Sequence, residues 1–151
     1  MPAPSGTVWG DIVKYLGRIG IYTSISNVDL KSVVTVQVWF WSKYSVSDSN
    51  NKFYFDNNAD SATTLIGDVT IKHTVSTGDG WSTSNQTMLG SYTYEYERTT
   101  VDKTIYCAAK LTGIDAIAAN GVAMYATASY TIPELPTYVI SYNANGGSGA
   151  P

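Results

Sequence analysis

An all-β fold, two antiparallel sheets stacked as a sandwich, is what this sequence predicts, and three observations predict it. The first is the stretch 33–44, Val-Val-Thr-Val-Gln-Val-Trp-Phe-Trp-Ser-Lys-Tyr, in which Val34, Val36, Val38 and Phe40 recur at period two while Thr35, Gln37, Trp39 and Trp41 point the other way. The second is composition: charged residues are only 14% of the chain, and Ser, Thr, Asn and Tyr carry most of its polarity, as suits a hydroxyl-rich sheet exterior. The third is a series of short alternating segments separated by turn signals, giving seven or eight strands between residues 12 and 132. The expected architecture is immunoglobulin- or fibronectin-like in layering alone. Cys107 is the single cysteine, so no intrachain disulfide forms and the cysteine pair around a core tryptophan is missing.

Taken in order, residues 1–11 hold Pro2, Pro4 and Gly6 and read as an extended N-terminal arm. The sandwich domain is expected over 12–134. Its first strand, 12–26, carries Val13, Tyr15, Ile19, Ile21 and Ile25, with Gly17 and Gly20 predicting a bend and a bulge. Asn27-Val28-Asp29 turns the chain into the central strand 33–44. Residues 45–51 are polar and turn-forming, 52–56 is a short strand with Phe53 and Phe55 on one side and Tyr54 on the other, and 57–64 is a surface loop. Val69, Ile71, His73 and Val75 alternate with Thr70, Lys72 and Thr74, a strand closed by the turn 77–80.

Trp81 opens a second polar loop, 81–86. In 88–98, Tyr92, Tyr94 and Tyr96 share one face; Glu95 and Glu97 mark the opposite face as the wet one. In 103–111, Ile105, Cys107, Ala109 and Leu111 face inward, the small residues leaving room for bulky neighbours. Residues 112–120 are ambiguous between one helical turn and a hairpin, and Asn120-Gly121 before the strand 122–132 favours the hairpin. Pro133 and Pro136 end the domain, and 135–151 reads as a linker followed by the first strand of a further module, or as a tail that pairs with another subunit.

Charge narrows the function. Lys and Arg number 9 against 12 Asp and Glu, a net of −3 with a pI near 4.9, which argues against nucleic acid as a partner. No segment is long and apolar enough to span a bilayer, and the start lacks the basic and apolar regions of a secretory leader.

Catalytic groups are sparse. His73, the sole histidine, alternates with apolar residues and has no triad context; a satisfied imidazole at the core or edge is favoured over a general base. Cys107 among Tyr106, Ala108 and Ala109 reads as a buried structural thiol. No Gly-x-Ser-x-Gly elbow occurs. Glu95 and Glu97, about 6 to 7 Å apart along one face, match a glycosidase separation but also any exposed acidic strand, and the solvated strand is favoured. Asp56, Asn58 and Asp60 alternate as oxygen donors and are the candidate metal ligands, although Ser61 and Gly67 stand where an EF-hand loop needs Gly and Glu. The expectation is a noncatalytic protein without a cofactor.

The candidate contact residues are Trp39, Trp41, Tyr44, Tyr54 and Trp81. Flat aromatic platforms stack on sugar rings, but strand aromatics more often fill layers or subunit contacts, and packing or interface is favoured over glycan binding.

Two resemblances bear on function. Residues 138–151, an aromatic-apolar strand followed by Asn143-Ala144-Asn145-Gly146-Gly147 and Ala150-Pro151, resemble the start of the internalin-type B-repeat of multi-module surface proteins. From the first strand through Val38-Trp39-Phe40-Trp41-Ser42-Lys43-Tyr44-Ser45-Val46-Ser47-Asp48-Ser49 to Gly80-Trp81-Ser82-Thr83-Ser84, the chain is similar to minor structural proteins of tailed phages and prophages of Gram-positive bacteria. That resemblance implies a virion component of tail, fibre or surface decoration, expected to be a homo-oligomer with other virion subunits as partners and host cell-wall glycan as a candidate target. It carries over no site residues. Assembly in a reducing cytoplasm and release by lysis fit a chain with no disulfide and no leader. The alternative is a carbohydrate-binding module of a bacterial cell-surface protein.

Overall fold

The structure is a computed structural model describing residues 2–13, 17–43, 46–73, 81–113 and 123–136; for 46–50 and His73 the backbone alone is described. Among the described residues eight strands follow in order: β1 (Val8–Trp9), β2 (Gly17–Val28), β3 (Lys31–Ser42), β4 (Val46–Asn57), β5 (Leu65–His73), β6 (Gln86–Glu97), β7 (Lys103–Thr112) and β8 (Met124–Ile132). They form two antiparallel four-stranded sheets, β1-β2-β3-β6 and β5-β4-β7-β8. The protein is a β-sandwich, as the alternation of its strands predicts.

The central strand behaves as its sequence requires. Val34, Val36, Val38 and Phe40 are fully buried, and across the ladder they meet Ile25, Thr23, Ile21 and Ile19 of β2. On the other side Val34 and Val36 pair with Tyr94 and Tyr92 of β6. The second sheet answers with Phe53, Phe55, Ile71, Ile105, Cys107, Ala109, Leu111, Met124, Ala126, Tyr130 and Ile132, so the two inner faces form one apolar core. Small residues make room for large ones: Phe55 pairs with Ala109, and its ring stacks on Tyr92 of the facing sheet at 4.6 Å.

Polar groups inside are tied together. The Tyr130 hydroxyl donates to Asn57 Oδ1 at 2.6 Å, Asn57 Nδ2 donates to the Tyr96 hydroxyl at 2.7 Å, and the two phenol oxygens lie 2.8 Å apart. This closed triangle joins β6 of one sheet to β4 and β8 of the other. Along the side where β2 packs against β8, Gly10 lets the backbone after β1 come so close to the Tyr125 carbonyl that no side chain fits between them.

Several boundaries differ from the expectation. β2 runs unbroken from Gly17, with Val13 making only an isolated bridge to Gly17; a bulge lies instead in β6, where Val38 pairs with Gly90 and Trp39 with Met88, leaving Leu89 extra, and the β4–β5 ladder shifts register twice. The polar residues 46–51 form strand, since β5 offers them a paired ladder that overrides turn propensity. β5 begins at Leu65, directly after the expected loop 57–64 and four residues before Val69, where the alternation begins. The arm contributes β1, a strand too short to recognise from sequence. The expected turn at 77–80, the hairpin or helical turn at 114–120 and the strand at 138–147 lie outside the described residues.

The buried acids give the fold a pH limit. Burial, aided by Tyr92 and Tyr96, pushes the Tyr94 phenol from 10.0 up to about 12, and burial pushes the Cys107 thiol from 9.0 up to about 11. Both groups are neutral when protonated, so the fold favours the protonated forms. The stability they lend is complete below the unfolded values and is lost as pH rises through the folded ones. The melting temperature should therefore hold to about pH 9 and fall between about pH 9 and 12. Tyr94→Phe and Cys107→Ala should each flatten that fall, and a wild-type melting temperature unchanged up to pH 12 would contradict this account.

Candidate functional site

The outer face of the first sheet is built in rows. Arg18 of β2 lies opposite Trp41 of β3, and Trp41 opposite Gln86 of β6; one row along, Trp9 of β1, Gly20 of β2, Trp39 of β3 and Met88 of β6 are in register. Because Ile19 and Ile21 point inward, alternation sends Arg18 and Gly20 outward beneath the tryptophans. Gly20 has no side chain, and the Trp9 indole occupies the space; a Cβ there would come within 2.6 Å of the ring.

The N-terminal arm covers this face. Thr7 lies over Gly20 beside the Trp9 ring, and the Ala3 N–H donates to Gln86 Oε1 at 2.6 Å, so the arm crosses β3 between β2 and β6. Trp39 is consequently 5% exposed although it points away from the core, and its Nε1 donates to Gln37 Oε1 at 3.1 Å. Trp39 is thus a packed residue and no surface platform, because the arm and its tryptophan close over it.

Trp41 stays half-buried at the centre of an aromatic cluster. Its ring is 5.0 Å from Trp9 and 5.6 Å from Trp81, the latter edge-on, and its Nε1 donates to the Ser82 carbonyl at 2.9 Å, anchoring the loop that carries Trp81. The Ser82 hydroxyl accepts from the Ser84 N–H and starts the short 3-10 turn Thr83–Asn85, which leads into β6. Arg18 is inserted among all three rings, its guanidinium carbon 4.9 Å from Trp41, 5.4 Å from Trp9 and 5.7 Å from Trp81. Desolvation lowers the Arg18 pKa from its ordinary value.

Of the five aromatic candidates, Trp41 and Trp81 are brought together with the buried Trp39 nearby. Tyr54 stands apart, on the outer face of the second sheet, with the Lys110 ammonium 4.9 Å from its ring. Tyr44 lies outside the described residues. Asp56 spends both carboxylate oxygens on its own loop, accepting from the Thr64 hydroxyl and from the Thr63 and Thr64 N–H groups, which hold its carboxyl below the usual range. Asn58 takes a left-handed backbone with φ 61°, and Asp60 is exposed. Among the described residues no three His, Cys, Asp or Glu gather as ligands.

Sequence reasoning missed Trp9 and Arg18. Two signals pointed to them: Arg18 and Gly20 fall on the same outward register as the tryptophans once Ile19 and Ile21 are placed inside, and a strand glycine marks a close approach by another group. The fold and this face define an all-β sandwich that bears a tryptophan and arginine surface. No family model matches the chain, and comparison with curated proteins and with solved structures gives no match.

Packing and surface roles separate by stability. Trp39→Ala should destabilise the domain by about 3–5 kcal/mol, the range for emptying a large buried side chain. Trp81→Ala, at a half-buried loop position, should remain within about 1 kcal/mol of wild type. Denaturant midpoints of the two variants test this, and equal losses would place Trp81 in the packed layer as well.

Proposed function

We propose that this chain is a noncatalytic contact module of a phage virion, in a tail, fibre or surface decoration, which docks through the exposed edge of its tryptophan cluster to host cell-wall glycan. The observation that carries the reading is the gathering of Trp9, Trp41 and Trp81 on one outer sheet face, where all three stay partly open to solvent. Indole faces match the apolar faces of pyranose rings, and a sheet holds them rigidly, so little conformational entropy is lost on binding. The virion setting is supported by the resemblance of residues 38–49 and 80–84 to phage structural proteins.

The same face would also serve a docked neighbouring subunit. A second reading, a carbohydrate-binding module of a bacterial surface protein, is favoured by the B-repeat-like residues 138–151. Recovery of the chain in purified particles separates virion from cell wall.

For the glycan contact itself, Trp81→Ala should weaken binding to wall oligosaccharides on an array about tenfold or more, equivalent to about 1.4 kcal/mol, with an unchanged melting curve. Wild-type binding that survives both Trp81→Ala and Trp41→Ala would remove the aromatic face from the mechanism. Concentration-dependent dimers lost in the same variants would assign the face to subunit docking.

A further inference from the structure

Arg18 is the feature of this face that packing does not explain. An aliphatic residue would fill the space between three indoles without carrying a charge out of water, and a structural arginine ordinarily pairs with a carboxylate or a backbone carbonyl. Arg18 does neither. Its Nε is buried without a hydrogen-bond partner, and no acceptor among the described residues meets its terminal nitrogens. The described ion pairs are Lys31–Glu97 and Lys52–Asp68, both remote from it. Glu95 and Glu97 pair with Val33 and Lys31, eight and ten residues along β3 from Trp41, or roughly 26 and 33 Å at strand rise. Glu95 and Glu97 therefore sit at the far end of this face, and Asp11, which follows Gly10 beside the start of β2, is exposed and makes no ion pair among the described residues.

By contrast, Arg98 at the far end of the sandwich illustrates a satisfied arginine. Its Nε donates to the Pro133 carbonyl at 3.2 Å, and its terminal nitrogens donate to the Asp29 carbonyl at 3.2 Å and the Glu134 carbonyl at 2.8 Å. Arg18 has the same donors, held among the rings around it, and none of them meets an acceptor among the described residues.

We propose that Arg18 and the surrounding tryptophans form a recognition site for an acidic glycan, in which a sugar ring stacks on an indole edge of the cluster and its anionic group is held by the free side of the Arg18 guanidinium. This deepens the glycan reading above and rests on it. The planar fork suits a carboxylate or a phosphate, and fixing it in an aromatic cage reduces the entropy lost on forming a bidentate contact. The chain's net negative charge does not oppose this, because charges beyond about 8 Å are largely screened at physiological salt.

The chemistry can be supplied by a hexuronic acid or by a sugar or polyol phosphate. The test is calorimetric titration of the full chain with four defined oligosaccharides: a hyaluronan fragment for carboxylate, a glycerol-phosphate teichoic fragment for phosphate, and neutral chitohexaose and cellohexaose. At least one acidic ligand should bind about tenfold or more tightly than either neutral one and weaken as salt is raised; the stronger arm identifies the anion. Arg18→Met, which keeps length and apolar packing, should abolish that preference and leave neutral binding in place. Arg18→Lys, which keeps the charge but not the fork, should retain only part of it and covers the case in which the Met variant does not fold. Equal affinity for acidic and neutral ligands, unchanged in Arg18→Met or Arg18→Lys, overturns the Arg18 site while leaving a glycan-binding face intact. No binding to any of the four overturns both.

Discussion

One strand is apolar on both sides at one end, and the architecture follows from having to cover it. β3 buries Val34, Val36, Val38 and Phe40 in the core, while its outward residues change from Thr35 and Gln37 to Trp39 and Trp41. An outer sheet face normally needs no cover because it is polar. Here two indoles stand where solvent would be, and leaving them both bare would expose a large apolar patch. The arm solves this locally: β1 adds an edge strand, Trp9 lies over Gly20, and the Ala3 to Gln86 hydrogen bond fastens the crossing on the other side of β3. The N-terminal arm is part of the fold.

The inner interface obeys a related constraint. Three tyrosines of β6 face inward, and their hydroxyls would be costly to bury alone. Tyr96 finds Asn57 and Tyr130 of the facing sheet, so the polar atoms become a cross-tie between layers; burial instead raises the Tyr92 and Tyr94 phenols. With no disulfide between its sheets, the sandwich is joined by this triangle, by the Phe55–Tyr92 stack and by the Gly10–Tyr125 approach. The ion pairs Lys31–Glu97 and Lys52–Asp68 are about half-exposed or more and add little.

What could be read from the sequence was whatever is encoded locally. The inward set of β3, the split of β6 into tyrosines inside and glutamates outside, and the small inward residues of β7 all follow from period-two alternation. What could not be read depends on partners distant in the chain. Residues 46–51 look like a turn and become strand because β5 supplies a ladder. Trp39 stands on the outward register of β3, and it is buried because a residue thirty positions earlier folds over its neighbour. Tyr54 alternates in the same way as the tryptophans, yet it lies on the other sheet, and no local pattern states which sheet a strand joins. Among the described aromatic candidates, Trp41 and Trp81 share one face, Trp39 is packed beneath the arm and Tyr54 lies on the other sheet.

The cluster that remains after the arm has closed is smaller and more specific than a stripe of aromatics. Burial of Trp39 removes one member, and Arg18 adds a charge whose ring contacts are favourable but whose buried Nε has no hydrogen-bond partner among the described residues. Cation–π attraction of about 0.5–2 kcal/mol per good contact offsets the partial desolvation of the guanidinium, so the site is affordable as it stands. Offsetting a cost is different from satisfying a group, and Arg98 shows within the same chain how carbonyls satisfy an arginine fully. A cage that holds a cation still, with no acceptor among the described residues meeting it, would lower the cost of binding an anion there, since the ordering has been done by folding. Stability alone gives no reason for that combination, whereas recognition of a negatively charged, ring-bearing ligand requires each of its parts.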